Sequence, residues 1–146
     1  MNIDDTKDAI LSDLRISNDI SEMDIPLIHR FLATESYWAR GVQFEALSKS
    51  LSHSLCFAGF VGEKQVAFGR VITDLASFGY LKDVFVLPSE RGRGYGKELV
   101  EAMLAKLDHE GVASLMLATR DAHSLYRKVG FEDVEGSATL MRRIRK

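Results

Sequence analysis

Residues 80–100 read YLKDVFVLPSERGRGYGKELV. A β-rich stretch over residues 78–87 runs into a turn with glycines at 92, 94 and 96. Leu99, Met103, Leu104 and Leu107 then fall on one side of a predicted helix over residues 94–109. A strand, a glycine turn and an amphipathic helix in direct succession imply a layered fold of sheet and helices. The same unit favours anions. The first N–H groups of a helix have no partner within it, and the helix dipole adds partial positive charge there. Glycine lets the backbone come close to a phosphate and take positive φ. Arg91, Arg93 and Lys97 can add charge-assisted hydrogen bonds.

Two common phosphate-binding turns fail on their own terms. A P-loop needs Ser or Thr directly after its lysine, and here Glu98 follows Lys97. A dinucleotide fingerprint needs G-x-G-x-x-G, and Gly92-Arg93-Gly94-Tyr95-Gly96 lacks that spacing. What remains is another phosphate ligand, or a plain strand-to-helix turn that needs glycine.

The 146 residues suit a single domain with one core, spanning residues 1–146. Residues 1–12 are polar and read as a loose lead-in or a short helix. Residues 14–16 read as a short strand. Asp24 is placed to cap a helix beginning at Ile25, with Pro26 in its first turn. Residues 35–42 read as a loop, and residues 44–53 as a second helix on Phe44, Leu47 and Leu51. The pattern then changes to period two. Strands are expected over residues 55–61 and 66–72, joined by a hairpin turn at Gly62-Glu63-Lys64. After the long helix, residues 113–118 read as a buried strand. Residues 121–129 form a short predicted helix closed by Gly130. Two last strands are expected over residues 131–134 and 139–144, with a turn at Glu135-Gly136-Ser137. This order predicts the α/β (α+β) class, with a mixed sheet flanked by helices on both faces.

Arg91-Gly92-Arg93-Gly94-Tyr95-Gly96 resembles the R/Q-x-x-G-x-G/A signature of the GNAT acyltransferase superfamily. Val84-Phe85-Val86-Leu87-Pro88 resembles that family's cofactor strand. About 25 residues further on, Ala122-His123-Ser124-Leu125-Tyr126-Arg127-Lys128-Val129-Gly130-Phe131 resembles its A-x-x-L-Y-x-x-x-G-F motif. The resemblance implies a mostly antiparallel twisted sheet and an acetyl-CoA-dependent N-acetyltransferase. It implies that backbone groups of Phe85, Val86 and Leu87, with Val84 before them, pair with the pantetheine arm. Amides from Arg91 to Lys97, Tyr95 among them, would hold the pyrophosphate. Tyr126 would face the cofactor sulfur and protonate the leaving thiolate. That chemistry is reasonable, because amine attack on a thioester expels a thiolate and a phenol can donate a proton at neutral pH. One departure stands out. The family often has asparagine seven positions before the tyrosine, and this chain has Thr119. Thr119 can still offer a hydroxyl to the pantetheine arm, while Asp121 is placed to cap the short helix.

The acceptor amine must also lose a proton. Candidate bases are Glu35, Asp83 and His123, or a chain of waters, with Asp83 foremost because it sits in the cofactor strand. The loop Glu35-Ser36-Tyr37-Trp38-Ala39-Arg40-Gly41 sets two aromatics beside charges, where the resemblance implies an acceptor pocket. Tyr37, Trp38 and Arg40 are therefore the expected acceptor-binding residues. Arg40 would favour an acceptor with a carboxylate or phosphate. The expected acceptor is a small-molecule amine, with a protein amine as the alternative. A non-catalytic acyl-CoA-binding module is the other reading of the whole chain.

The remaining features mainly exclude. A net charge of -2 makes no electrostatic case for nucleic acid, and the basic tail over residues 141–146 is short. No apolar run approaches a membrane span, and the acidic N-terminus is unlike a signal peptide. Cys56 alone builds no disulfide, so a soluble cytoplasmic chain is expected. His29, His53 and His109 lack metal-ligand spacing, so no metal is expected. An edge strand near the C-terminus could pair two copies in a homodimer.

Overall fold

The period-two stretches become one sheet. The computed structural model describes residues 12–145, so the expected lead-in over residues 1–11 lies outside the described residues. The strands are β1 (Leu14–Ser17), β2 (Leu55–Val61), β3 (Lys64–Thr73), β4 (Gly79–Val86) and β5 (Leu115–Met116). They lie in chain order, antiparallel except for the parallel β4–β5 pair. A parallel pair needs a crossover, supplied by the long helix α3 (Tyr95–Glu110). The β2–β3 turn is narrower than expected. It is Gly62-Glu63, with Gly62 at φ 61°, and Lys64 already belongs to β3.

Helix α1 (Ile25–Thr34) starts where Asp24 accepts a 3.0 Å hydrogen bond from the Leu27 amide, with Pro26 in its first turn. Helix α2 is Phe44–Ser52. Both cover one face of the sheet, where Ile28, Phe31, Leu32, Leu47 and Leu51 pack on Phe60, Phe68 and Phe85. On the opposite face Leu99, Val100, Met103 and Leu107 of α3 pack on Phe57, Ala67, Val71 and Leu81. β3, covered on both faces, is buried from Gln65 to Val71.

Cys56 lies in the first of these layers, 3% exposed, and burial pushes its thiol up to about 11. A rise from 9.0 to about 11 leaves about 100-fold less thiolate than an ordinary cysteine. Titration of the native protein with Ellman's reagent at pH 8 is expected to be at least that much slower than titration in denaturant. Equal rates would place Cys56 at the surface.

The C-terminal third departs most from expectation. β5 spans two residues, not residues 113–118. The short helix α4 is His123–Lys128, and its cap residue is Ala122 without a side-chain bond, so Asp121 does not cap it. Residues 131–145 hold no strand, only a 3-10 turn at Ser137–Thr139. Val134, Leu140 and Ile144 are each at least 60% exposed and have no apolar face to meet. The strand edge on which a homodimer was expected is therefore not formed.

Candidate active site

β4 is irregular where it matters. Phe68 pairs with Phe85, but Arg70 pairs with Lys82, so β4 carries one extra residue opposite Gly69. The bulge falls at Asp83, which takes φ 58°, a left-handed conformation rare outside glycine. Gly69 makes room for it, since a Cβ there would come within 2.9 Å of Met103 Sδ and 3.2 Å of Val84 Cγ2. β4 and β5 share only the Gly79–Leu115 and Tyr80–Met116 pairs. Beyond Tyr80 the outer edge of β4 has no strand partner among the described residues, which leaves backbone groups there open to a ligand, except for the Val86 carbonyl, which a side chain takes.

The glycine turn continues from that edge. Gly92 and Gly94 sit at φ 82° and 83°, and an added Cβ at either would meet nothing within 4 Å. Backbone angle, not crowding, requires glycine at both. Gly94 caps α3 without a side chain, so the first-turn amides point into open space. Arg91 ties the turn to the strand through a 3.0 Å bond from Nε to the Val86 carbonyl. The Tyr95 phenol donates to Asp13 at 2.5 Å, anchoring the helix start beside β1. A groove of about 500 Å³ follows, bounded by Val84, Phe85, Val86, Arg91, Gly94 and Gly96 among others. Arg93 and Lys97 do not line it. They pair on the surface with Glu90 at 3.4 Å and Glu101 at 3.8 Å. Leu87 turns into the core beside α1.

Tyr126 stands where this groove meets a second cavity of about 530 Å³. It is 8% exposed and set edge-on to Phe131, with ring centroids 5.7 Å apart. Burial, then the neighbouring Tyr37 and Asp121, push its phenol up to about 12. Thr119 borders the second cavity, and its hydroxyl accepts the Ala122 amide at 3.0 Å, the bond expected of Asp121.

The second cavity is walled by Tyr37, Trp38, Tyr80, Lys82, Asp83 and Arg120 among others. Asp83 is 5% exposed, and both of its oxygens are engaged. Oδ1 accepts from Trp38 Nε1 at 2.9 Å, and Oδ2 accepts from Arg70 Nε at 2.7 Å. Arg70 also donates to Ser54 Oγ at 2.8 Å. Of the other candidate bases, Glu35 borders the first groove and His123 borders neither cavity. Of the expected acceptor residues, Tyr37 and Trp38 line both cavities, while Arg40 is exposed and lines neither. Arg120 takes its place, with Cζ 3.7 Å from the Tyr37 ring centroid and its amide donating to Tyr37 Oη at 3.1 Å. Arg70, Lys82 and Arg120 were not picked out from the sequence. Lys82 alone had a local signal, its place beside Asp83 in the cofactor strand.

The Acetyltransferase (GNAT) family model matches residues 21–131. A crystal structure from Xanthomonas campestris pv. campestris, of a provisionally named acetyltransferase of the GNAT family, is 46% identical with a TM-score of 0.86. It covers 92% of this chain and 94% of that one. A provisionally named acetyltransferase from Gibberella zeae is 27% identical over 154 residues, 91% of this chain and 87% of that protein. The ribosomal protein bS18-alanine N-acetyltransferase of Haemophilus influenzae is 36% identical over 58 residues, 38% of this chain and 40% of that enzyme.

Proposed function

Because the chain belongs to the GNAT acetyltransferase family, we propose that it transfers acetyl from acetyl-CoA directly to the amine of a small molecule. The observation that carries this reading is the meeting of two cavities at Tyr126, one leading to the glycine turn and one to the aromatic loop. The residues fit the co-substrate. The open β4 edge over Val84, Phe85 and Val86 suits a linear arm carrying amides, and the uncapped start of α3 suits a pyrophosphate. Thr119 borders the second cavity and not the first groove, so we assign its hydroxyl to the Ala122 amide in place of the arm. When bound, acetyl-CoA supplies an activated acyl carbonyl, and everything else falls to the protein.

Tyr126 keeps its hydrogen throughout the physiological range because its phenol lies near 12. Complete transfer to a thiolate of ordinary pKa is uphill by roughly 3.5 units, or about 5 kcal/mol. Its role is therefore to donate a hydrogen bond to the sulfur as charge develops there, from a buried and fixed position. Asp83 has both oxygens committed, so we assign it positioning in place of proton abstraction. It holds the bulge through Arg70 and the acceptor loop through Trp38. The amine's proton leaves through the open second cavity. That cavity, about 530 Å³, matches a small-molecule site, which supports a small acceptor.

Thiol release from acetyl-CoA against a panel of amines and peptides tests the proposal. Release with one acceptor class, with acetylated product, is the expected result. A protein saturated with acetyl-CoA that releases no thiol with any acceptor favours the non-catalytic binding module.

A further inference from the structure

We propose that the acceptor carries an anionic group, a carboxylate or phosphate, which Arg120 and Lys82 receive on the wall of the second cavity; this rests on the acetyl-transfer reading of the site. Lys82 and Arg120 border the second cavity and not the first groove. Asp121 borders both, so it sits at their junction with Tyr126. The charge along the cavity is therefore uneven. Asp83 is neutralised by Arg70, side chains 3% and 7% exposed, so Lys82, Arg120 and the single carboxylate of Asp121 remain as the charges on the cavity wall. An acceptor with its amine towards Tyr126 and its anion on Lys82 and Arg120 matches that wall.

Lys82 and Arg120 are the only cations among the described residues that line the second cavity, and neither is neutralised by an ion pair. Arg120 is also held ready. Its guanidinium lies 3.7 Å over the Tyr37 ring, which fixes the plane without using any N–H donor. A fixed planar fork suits two-point recognition of a carboxylate or phosphate and loses little freedom on binding. Lys82 pairs in register with Arg70 and is exposed on the same β4 segment. Tyr37, Trp38 and Tyr80 leave apolar wall for the body of the acceptor between its two ends.

Trp38 is the chain's single tryptophan and lines the cavity, so its fluorescence reports binding without any turnover. Three matched pairs serve as probes: β-alanine and its amide, ε-aminocaproate and its amide, and phosphoethanolamine and ethanolamine. In the native protein saturated with CoA, at least one anionic member is expected to bind about 10- to 100-fold tighter than its neutral twin. Carboxylate and phosphate pairs tell which anion is preferred. Arg120→Gln and Lys82→Gln are each expected to bring that ratio towards one, and the ratio cancels any loss common to both twins. Arg120→Lys restores part of it if charge is what matters. No preference in any pair, or a ratio unchanged in both variants, overturns the proposal. Thiol release on the same pairs separates the two readings. Release without anion preference overturns this inference alone. Anion preference by fluorescence with no release overturns acetyl transfer and leaves an anion-binding cavity.

Discussion

Tyr126→Phe is expected to lower turnover about 100- to 1,000-fold, the usual cost of losing one donor aimed at developing charge. Most of the loss falls on kcat and not on the KM for acetyl-CoA, because the interaction strengthens only as the sulfur becomes negative. The substitution is clean. Phenylalanine keeps the edge contact with Phe131, and no buried polar side-chain atom among the described residues lacks a partner in the native site. The pH profile gives an independent check. The donor must be protonated, and its folded pKa lies near 12, so its activity is present below that and lost only as pH rises through it. The rate is expected to climb as the acceptor amine deprotonates and then stay level to about pH 10. A falling limb centred near pH 8 in the native enzyme, absent in Tyr126→Phe, would show that the phenol titrates far below 12 and that its burial has been misjudged.

Asp83→Ala is expected to destabilise the fold by about 3–5 kcal/mol, because it strands a buried guanidinium. Arg70 has a side chain only 7% exposed and loses its 2.7 Å partner. Alanine also tolerates the φ of 58° less well than aspartate, adding about 1–2 kcal/mol. Together, about 4–7 kcal/mol, these lower the melting temperature of a chain of this size by roughly 8–28 °C. Asp83→Asn accepts the same backbone angle and the Trp38 bond, so its loss is smaller. Arg70→Met placed with Asp83→Asn recovers part of the stability, because the orphaned charge goes too. A change in Trp38 emission accompanies both single variants. Asp83→Ala within about 1 kcal/mol of the native protein would contradict a clamp at this position.

What the sequence revealed was what local spacing controls. Leu99, Met103 and Leu107 mark α3 because a helix repeats its buried face every third or fourth residue. Gly92 and Gly94 mark the turn because no other residue takes those angles so freely. β2 matched its expected limits because its bounding turns are local. Features made by distant partners were hidden. The Arg70–Asp83 pair joins residues 13 apart across two strands, and nothing near Asp83 announces a bulge. β5 spans two residues because only Gly79 and Tyr80 of β4 pair with it, which no pattern in residues 113–118 records. A charged residue in a loop carries no mark of which way it faces. Arg40 and Arg120 look alike in sequence, and only the ring of Tyr37 distinguishes them. The motif singled out Tyr126, while the burial that raises its pKa is made by residues the motif does not encode.

The half-open edge of β4 has a cost apart from catalysis. Protein sheets usually protect their edges with charge, bulges or coverings, because a bare edge can recruit another strand. Here the bulge at Asp83 breaks the regular edge and Arg91 covers the Val86 carbonyl, but Val84 and Phe85 still lie on an edge without a strand partner, between walls of aromatic and aliphatic side chains. An extended peptide from a misfolded neighbour, or from another copy of this chain, meets the same invitation as the pantetheine arm. CoA bound as proposed would close that invitation, and at about 100 times its dissociation constant a ligand also adds about 2.7 kcal/mol of stability. On the proposed reading, the empty groove is the state in which this edge stands uncovered, and a bound co-substrate would shield it.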